Sequence, residues 1–230
     1  MKKKYIIFDF DGTLVNTNDI IIASWQATFE HYLGCRKPVK EIEATFGETL
    51  MHTIGVKLPG APVNEVVDYY RAYQDSHKDE GIVYVFDGIK EVISELRARG
   101  LMIGVATSRT TYSFNNYMKQ FGMEGAVDEI VTMDDVTRHK PDPESLNVCL
   151  ARLSGFPADA LPEDVKGQAV MIGDTKFDIG CANNAGIDSV LVGWSHYVDE
   201  EDMAEHGFEP TYRIDRPDEL LDIIYKRRIN

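Results

Sequence analysis

The sequence predicts an α/β fold in which a mostly parallel sheet carries an all-α helical insert. The first observation is the run at 5–8, which is apolar, rich in β-branched and aromatic residues, and ended by Asp9 and Gly12. Such a continuous apolar run is typical of a strand that helices bury on both faces. The second observation is that short apolar runs alternate with helical patterns from residue 84 onward, which favours right-handed crossovers and a parallel sheet.

Length and composition restrict the class of protein. A chain of 230 residues with 43% hydrophobic content forms one large domain, or one domain with a smaller insert. The formal charge of −14 argues against a nucleic-acid partner, because a phosphate polymer would be repelled. The apolar stretches are too short for a signal peptide or a membrane span, so we expect a cytoplasmic protein with no membrane partner, as a monomer or a homodimer. The three cysteines, Cys35, Cys149 and Cys181, lie far apart and predict buried, reduced thiols.

Segment 15–82 shows helical patterns and no convincing strand, and we interpret it as a compact all-α insert. Capping residues at 16–19 precede its first helix. We expect helices at about 20–32, 40–45, 48–54 and 63–78. The aromatic residues Trp25, Tyr69, Tyr70 and Tyr73 are expected to pack in the interior of the insert. The alternative is that these helices simply cover the sheet.

The alternating part of the chain supplies the remaining elements. After the strand at 5–8, we expect strands at 101–106, 129–132 and 169–172, with further candidates at 189–192 and 212–214. Helices are expected at about 86–99, 110–121, 143–153, 175–185 and 217–227. Pro143 suits the first position of its helix, and a turn of helix is expected around Pro162. We interpret the acidic pair at 134–135 as a cap at a strand end.

Polar clusters follow three of these strands, and one further polar residue lies in a loop after another strand. They are Asp9 with Asp11, Thr107 with Ser108, Asp174 with Asp178, and Lys140. The carboxyl ends of parallel strands would bring these groups to one edge of the sheet, where ligands bind in α/β folds. Three carboxylates with no nearby histidine or cysteine form a hard oxygen site, which suits Mg²⁺ rather than Zn²⁺. Lys140 suits a phosphate, and the start of a helix after 107–108 favours an anion. The alternative is a set of strand-end turns with solvated acids.

Four stretches resemble the motifs of the haloacid dehalogenase (HAD) superfamily, in the family's order and across essentially the whole chain. They are Asp9-Phe10-Asp11-Gly12-Thr13, Thr107-Ser108, Lys140-Pro141-Asp142-Pro143 and Gly173-Asp174-Thr175-Lys176-Phe177-Asp178. The helical insert after the first motif resembles the cap of the phosphoglycolate phosphatase-like branch. This resemblance implies a Rossmann-like core made of residues 1–14 and 83–230, and an all-α helical cap domain made of residues 15–82.

The resemblance also implies a role for each matching residue. Asp9 would be the nucleophile that attacks phosphorus, and Asp11 would be first the general acid and then the general base. Mg²⁺ would be held by the Asp9 carboxylate, the Asp11 backbone carbonyl, Asp174 and Asp178. The phosphate oxygens would be held by Thr107, Ser108 and Lys140. The implied activity is hydrolysis of a small phosphorylated metabolite.

Differences from other branches of the family narrow this activity. Asp11 favours phosphate chemistry, because dehalogenating relatives need no second acid and phosphonate-cleaving relatives replace it by a small residue. Segments 19–22 and 47–50 lack the histidine and the arginine of the β-phosphoglucomutase relatives, which disfavours a mutase. Segments 16–18, 31–32 and 131–136 resemble the bacterial pyrophosphatases of this branch, so an inorganic pyrophosphatase is one alternative. A non-catalytic module that binds a phosphorylated metabolite is the other.

Substrate choice is expected to lie in the cap, since the core motifs contact only the phosphate. The candidates are Asn18, Gly47, Glu48, Thr49 and His52 from the cap, and Arg109 beside the second motif. Two of them have simpler interpretations. His52 would be a surface residue on a short helix, and Arg109 would begin its helix on the solvent side.

Overall fold

The computed structural model describes residues 2–77, 80–195 and 200–225. Within these ranges the strands are β1 (Tyr5–Phe8), β2 (Val15–Asn16), β3 (Tyr84–Val85), β4 (Met102–Ala106), β5 (Glu129–Val131), β6 (Ala169–Gly173), β7 (Asp188–Val192) and β8 (Tyr212–Ile214). The helices are α1 (Asn18–Leu33), α2 (Val39–Glu43), α3 (Leu50–Lys57), α4 (Val63–His77), α5 (Ile89–Ala98), α6 (Thr111–Gln120), α7 (Glu144–Ser154), α8 (Glu163–Gly167), α9 (Lys176–Ala185), α10 (Glu200–Glu205) and α11 (Glu219–Tyr225), with a short 3₁₀ helix at Met133–Asp135. The predicted helices and strands are present, with small differences at their ends.

Six strands form a parallel sheet in the order β5-β4-β1-β6-β7-β8. β1 lies in the middle of this sheet, where Ile6 is in register with Ile103 of β4 and Val170 of β6. Parallel neighbours require crossover connections, and the helices in those connections cover both faces of the sheet. The α/β fold with a mostly parallel sheet, which the sequence predicts, is therefore confirmed.

The two faces of β1 belong to different hydrophobic clusters. Ile6 and Phe8 pack with residues of α5, α6 and α11, whereas Tyr5 and Ile7 pack with residues of α7 and α9. This division follows from strand geometry, since successive side chains point to opposite faces. All four side chains are buried, and burying each one contributes about 1.5–3 kcal/mol. The packed strand therefore holds the backbone that leads into Asp9 in a fixed position.

Helices α1 to α4 enclose a hydrophobic cluster of their own, and its aromatic members include Trp25, Phe29 and Tyr70. The Trp25 ring lies 5.3 Å from the ring of Phe29 and 5.2 Å from that of Tyr70. The prediction of interior packing is confirmed for Trp25 and Tyr70. Tyr69 instead stacks on His31 with ring centroids 4.3 Å apart, and Tyr73 packs against the hydrophobic cluster that contains Ile6 and Phe8. The division of the chain into core and cap at 14/15 and 82/83 stays a prediction.

The prediction that segment 15–82 contains no strand was wrong at its first two residues. Val15 and Asn16 of β2 pair in antiparallel fashion with Val85 and Tyr84 of β3. The pairing is extended by a hydrogen bond from the Phe86 N–H to the Leu14 carbonyl at 3.2 Å. A two-residue strand is too short to show any periodicity, so this contact between distant parts of the chain leaves no signal in the local sequence.

Smaller corrections concern a cysteine and a proline. Cys149 and Cys181 are buried free thiols as predicted, but Cys35 is exposed, because it lies in the turn that follows α1. Pro143 is the N-cap of α7 rather than its first residue, so the helix begins one position later than predicted. The predicted ends of two helices, at residues 78 and 226–227, lie outside the described residues.

The described residues also test two other predictions. The carboxylate of Asp135 accepts a hydrogen bond from the Thr132 N–H at 2.8 Å, which confirms the predicted cap at the end of β5. No helix in the described part of the chain is both long enough and apolar enough to cross a membrane.

Candidate active site

The polar clusters predicted at the strand ends lie at one edge of the sheet. Asp9 directly follows β1, and its N–H still donates to the Ile172 carbonyl of β6 at 2.8 Å. Asp174 directly follows β6, and Thr107 directly follows β4. Oxygen atoms of Asp9, Asp174 and Asp178 lie within 4.8 Å of one another, and all three residues are buried. Acids that are far apart in the sequence therefore meet at one point.

Lys140 lies between two of these carboxylates. Its Nζ atom is 2.7 Å from Oδ1 of Asp9 and 2.7 Å from Oδ1 of Asp178. Burial disfavours the charged form of the amine, but the two carboxylates outweigh that cost and raise the pKa of Lys140. The lysine therefore remains charged and holds both acids in place. If all three carboxylates were ionised, one ammonium group would leave a net charge of −2 in a buried site.

The excess negative charge appears in the pKa values of the acids. Burial, opposed by Lys140 and reinforced by Asp178 and Asp11, raises the pKa of Asp9 from 3.8 to about 7. Burial, together with the charges of Asp178 and Asp9, raises the pKa of Asp174 well above its ordinary value. Buried anions that repel one another in this way fit a cation, and a set made only of oxygen ligands fits a hard ion such as Mg²⁺.

Asp178 differs from the other two acids because both of its oxygens already have partners. Oδ1 accepts from Lys140, while Oδ2 accepts from the hydroxyl of Thr175 at 2.8 Å and from its N–H at 3.1 Å. The latter two bonds cap the first turn of α9. This arrangement favours a supporting role for Asp178, in which it orients Lys140, over direct contact with a metal.

Asp174 is oriented by Thr13 of the first motif and by Ser195, which belongs to no motif. Ser195 donates its hydroxyl to Oδ2 of Asp174 at 2.6 Å, and Thr13 donates to Oδ1 at 3.3 Å. Asn18, a predicted specificity residue, donates to the Ser195 hydroxyl at 3.2 Å and is thus tied to the core. Ser195 lies shortly after β7, so the rule that polar residues gather at the carboxyl ends of parallel strands applies to it as well.

Gly12 makes the close approach of Asp174 possible. Its φ of +70° lies in the left-handed region, which residues other than glycine rarely adopt. A Cβ atom at this position would lie only 2.0 Å from Oδ2 of Asp174. The glycine of the first motif is thus needed both for the turn and for the space it leaves to the acid.

Arg109 binds Asp11 instead of facing solvent. Its Nε lies 2.8 Å from both oxygens of Asp11, and a terminal nitrogen lies 2.6 Å from Oδ1. Thr17 also donates its hydroxyl to Asp11, and the guanidinium lies 4.6 Å from the centre of the Tyr117 ring. The interpretation that Arg109 begins its helix on the solvent side was therefore wrong, since only 10% of its side chain is exposed.

A cavity of about 280 Å³ opens above these groups, between the sheet edge and helices α1 and α4. Of the predicted site residues, those that line it are Asp9, Asp11, Asn18, Gly47, Glu48, Ser108, Arg109 and Asp174. Trp25 and Tyr70 line it too, so these rings combine interior packing with contact to the cavity. Arg71, Asn64 and Gln74 of α4 also contribute to the wall, although the sequence analysis named none of them.

The remaining predicted residues lie elsewhere. Thr107 and Lys140 are buried behind the cavity wall, and the Thr107 hydroxyl accepts from the N–H of Arg109 at 3.2 Å. Thr49 caps α3, and His52 is exposed on that helix, in agreement with the simpler interpretation of this histidine. The Ser108 hydroxyl donates to the carbonyl of Gly47 at 2.8 Å, which joins the second motif to the turn before α3.

Comparisons with known proteins find similarities over most of the chain. The family model described as haloacid dehalogenase-like hydrolase matches residues 6–192. The chain is 32% identical to the pyrophosphatase PpaX of Bacillus mycoides (strain KBAB4) over 234 residues, with 100% of both chains covered.

Solved structures of similar fold cover almost the whole chain. One is a predicted phosphoglycolate phosphatase from Haemophilus somnus 129Pt, with a TM-score of 0.76, 20% identity, and coverage of 97% of this chain and 98% of the other. Another is a predicted phosphatase from Clostridium acetobutylicum, with a TM-score of 0.76, 24% identity, and coverage of 97% and 99%. At these identities the similarity concerns the fold alone.

Proposed function

Because the chain belongs to the haloacid dehalogenase-like hydrolase family, we propose that it is a Mg²⁺-dependent phosphohydrolase that cleaves a small phosphorylated metabolite through an aspartyl-phosphate intermediate. The observation that carries the proposal is the meeting of Asp9, Asp174 and Asp178 around Lys140 at the floor of a small cavity. A hydrolase of this size with an enclosed site suits a metabolite better than a polymer.

Each core residue has a role in this proposal. Asp9 attacks phosphorus, and the bond from phosphorus to the leaving oxygen breaks while Asp11 supplies the proton to that oxygen. A water molecule then gives a proton to Asp11 and releases phosphate from Asp9. Lys140 keeps the Asp9 carboxylate oriented, and the Ser108 N–H can donate to a phosphate oxygen. Asp9, Asp174 and the backbone carbonyl of Asp11 would hold Mg²⁺, which offsets the repulsion between carboxylate and phosphate.

The contacts of Asp11 add a requirement to this mechanism. Both of its oxygens accept hydrogen bonds from Arg109, and one also accepts from Thr17. A leaving oxygen needs a free position on this carboxyl group, and Oδ2, which accepts only from Arg109, has one. The proton is therefore expected to move through Oδ2 during turnover.

An inorganic pyrophosphatase is the second candidate within the same chemistry. The named relative at 32% identity supports it, because it is a pyrophosphatase that covers the full length of the chain. In this case the leaving group is phosphate, which needs less help from a general acid than an alkoxide does. A non-catalytic binding module is the alternative from a different class of function. The chain's membership of a hydrolase family argues against that alternative. The cytoplasmic location stays a prediction.

The test is hydrolysis of p-nitrophenyl phosphate, phosphoglycolate and pyrophosphate with Mg²⁺ and with EDTA. We expect turnover that requires Mg²⁺ and that is lost in Asp9→Asn. Turnover that survives in EDTA, or in Asp9→Asn at the wild-type rate, would refute the proposed chemistry. Binding of these compounds without turnover would favour the non-catalytic module.

A further inference from the structure

Arg71 is a cation in the cavity wall that has no hydrogen-bond or ion-pair partner among the described residues. It belongs to α4 and is half-buried. Among the lining residues within the described ranges, only Arg71 and Arg109 are basic, and Arg109 is bound to Asp11. No ion pair or hydrogen bond joins Arg71 to another described residue, although Asp68 and Asp75 lie one turn away on the same helix. A guanidinium group that faces a cavity without a carboxylate partner is available to a ligand.

The position of Arg71 on α4 directs it toward the cavity. Asn64, Val67, Arg71 and Gln74 all line the cavity, and their spacing of three, four and three residues forms one stripe along a helix. Val67 belongs to the hydrophobic cluster of the helical block, which fixes the rotation of α4. The polar members of the stripe therefore face the space above Asp9, on the side opposite the sheet.

The charges in the cavity separate two anion sites. Near the sheet, the proposed Mg²⁺ and the Ser108 N–H would take the phosphoryl group that is transferred. On the opposite side, Arg71 is the one lining cation without a partner among the described residues. The lining acid Glu48 already accepts from the Thr53 hydroxyl at 2.8 Å. A second anion on the substrate would meet an arginine that has no competing partner in the described part of the chain.

We propose that Arg71 binds a second anionic group, a carboxylate or a phosphate, on the leaving group of the substrate. The proposal rests on the proposed phosphohydrolase function and deepens it. It assigns the substrate to small molecules that carry an anion close to the scissile phosphate, such as a phosphorylated hydroxy acid or a diphosphate. Arginine suits both groups, because its planar fork donates two parallel hydrogen bonds to either one.

The experiment compares substrates that carry a second anion with substrates that lack one. Phosphoglycolate is paired with 2-hydroxyethyl phosphate, which carries a hydroxymethyl group in place of the carboxylate, and pyrophosphate is paired with p-nitrophenyl phosphate. We expect Arg71→Gln to lower kcat/KM about 10- to 100-fold for phosphoglycolate, for pyrophosphate or for both. The two substrates with one anion should change by less than about threefold. Which of the two anionic substrates responds identifies the carboxylate or the phosphate as the ligand.

Two further variants separate binding from folding. Arg71→Lys keeps the charge and should recover part of the lost kcat/KM for the anionic substrate. Lys119→Gln is the matched control, because Lys119 is an exposed cation that lines a neighbouring cavity of about 630 Å³ but not the catalytic one. Arg71 also borders that second cavity, so a loss in Lys119→Gln equal to the loss in Arg71→Gln would overturn the proposal. An equal fall for all four substrates, or no fall for any, would overturn it too.

Binding measurements keep this inference separate from the proposed function. Isothermal titration of phosphoglycolate, pyrophosphate and 2-hydroxyethyl phosphate into wild-type protein and Arg71→Gln with Mg²⁺ needs no turnover. If the wild type hydrolyses none of the compounds, the proposed function fails. A weaker binding of phosphoglycolate or pyrophosphate by Arg71→Gln would then still support the anion site, and unchanged binding of both would overturn it.

Discussion

Replacing Asp9 by asparagine should stabilise the metal-free protein, although it removes the proposed nucleophile. Asparagine has almost the shape of a protonated aspartate, so the substitution mainly deletes a buried negative charge. Lys140 keeps its contact with Asp178 at 2.7 Å in this variant, so no cation is left without a partner. The variant therefore isolates the cost of burying an ionised carboxylate beside other acids at the end of β1.

The size of the effect follows from the pKa of Asp9. A rise from 3.8 to about 7 means that the folded protein favours the protonated acid. At 1.36 kcal/mol for each pKa unit, the ionised form costs roughly 4 kcal/mol of folding free energy. This cost is absent below pH 4, grows as the pH rises, and is complete once the pH exceeds about 7. For a chain of this length, this cost lowers the Tm of the wild type by at most about 8–16 °C.

The assay is thermal unfolding of the wild type and Asp9→Asn at pH 8 and pH 5, with EDTA or with excess Mg²⁺. In EDTA at pH 8 the variant should unfold at the higher temperature, and the difference should shrink at pH 5 as wild-type Asp9 becomes protonated. Mg²⁺ at about 100 times its Kd should stabilise the wild type by about 2.7 kcal/mol and the variant by less. Asp218→Asn, which changes an exposed acid paired with Arg216, is the control and should leave these comparisons unchanged.

Two results would refute this reasoning. One is an Asp9→Asn protein that, in EDTA at pH 8, unfolds at or below the wild-type temperature. The other is a wild-type protein whose Tm does not respond to Mg²⁺. Either would mean that burial and the neighbouring acids do not disfavour the ionised carboxylates at the sheet edge as we infer.

Three other substitutions test the surroundings of the acids. Gly12→Ala should lose the Mg²⁺-dependent rise in Tm and destabilise the protein by about 1–3 kcal/mol, because the new Cβ would collide with Asp174. A wild-type response of Tm to Mg²⁺ in this variant would contradict the prediction. Ser195→Ala should raise the Mg²⁺ concentration for half-maximal activity about 10- to 100-fold, since it removes the hydrogen bond that orients one oxygen of Asp174. An unchanged Mg²⁺ titration would show that this hydrogen bond is dispensable. Arg109→Lys should lower kcat about tenfold or more, because an ammonium group cannot reproduce the paired contacts with Asp11; wild-type kcat in this variant would remove Arg109 from the mechanism.

The parallel sheet and the edge at which the acids meet are predictable from the sequence because both follow from local patterns. Runs such as 5–8 are apolar at every position, which records burial on both faces. Once the sheet is parallel, its topology alone brings the residue after β1 and the residue after β6 to the same edge. Asp9 and Asp174 are thus located by the strands that precede them.

The contacts between side chains are not predictable in this way. The pairing of Arg109 with Asp11 joins residues 98 positions apart, and their charges alone allow many other partners. Ser195 and Arg71 carry no motif, and their relation to the site depends on how α4 and the end of β7 pack. The pairing of β2 with β3 likewise depends on a contact between segments too short to show a pattern.

The β2 and β3 pairing has a consequence for how such a chain can change over evolution. Because Asn16 and Tyr84 lie side by side, the segment between them begins and ends at neighbouring points. A longer, shorter or different segment needs only to start and finish at that pair of strands, and the order of the main sheet is unaffected. If this segment sets substrate choice, as the sequence predicts, that choice can change by replacement of one continuous stretch of gene, while the cluster of acids at the end of β1 is inherited intact.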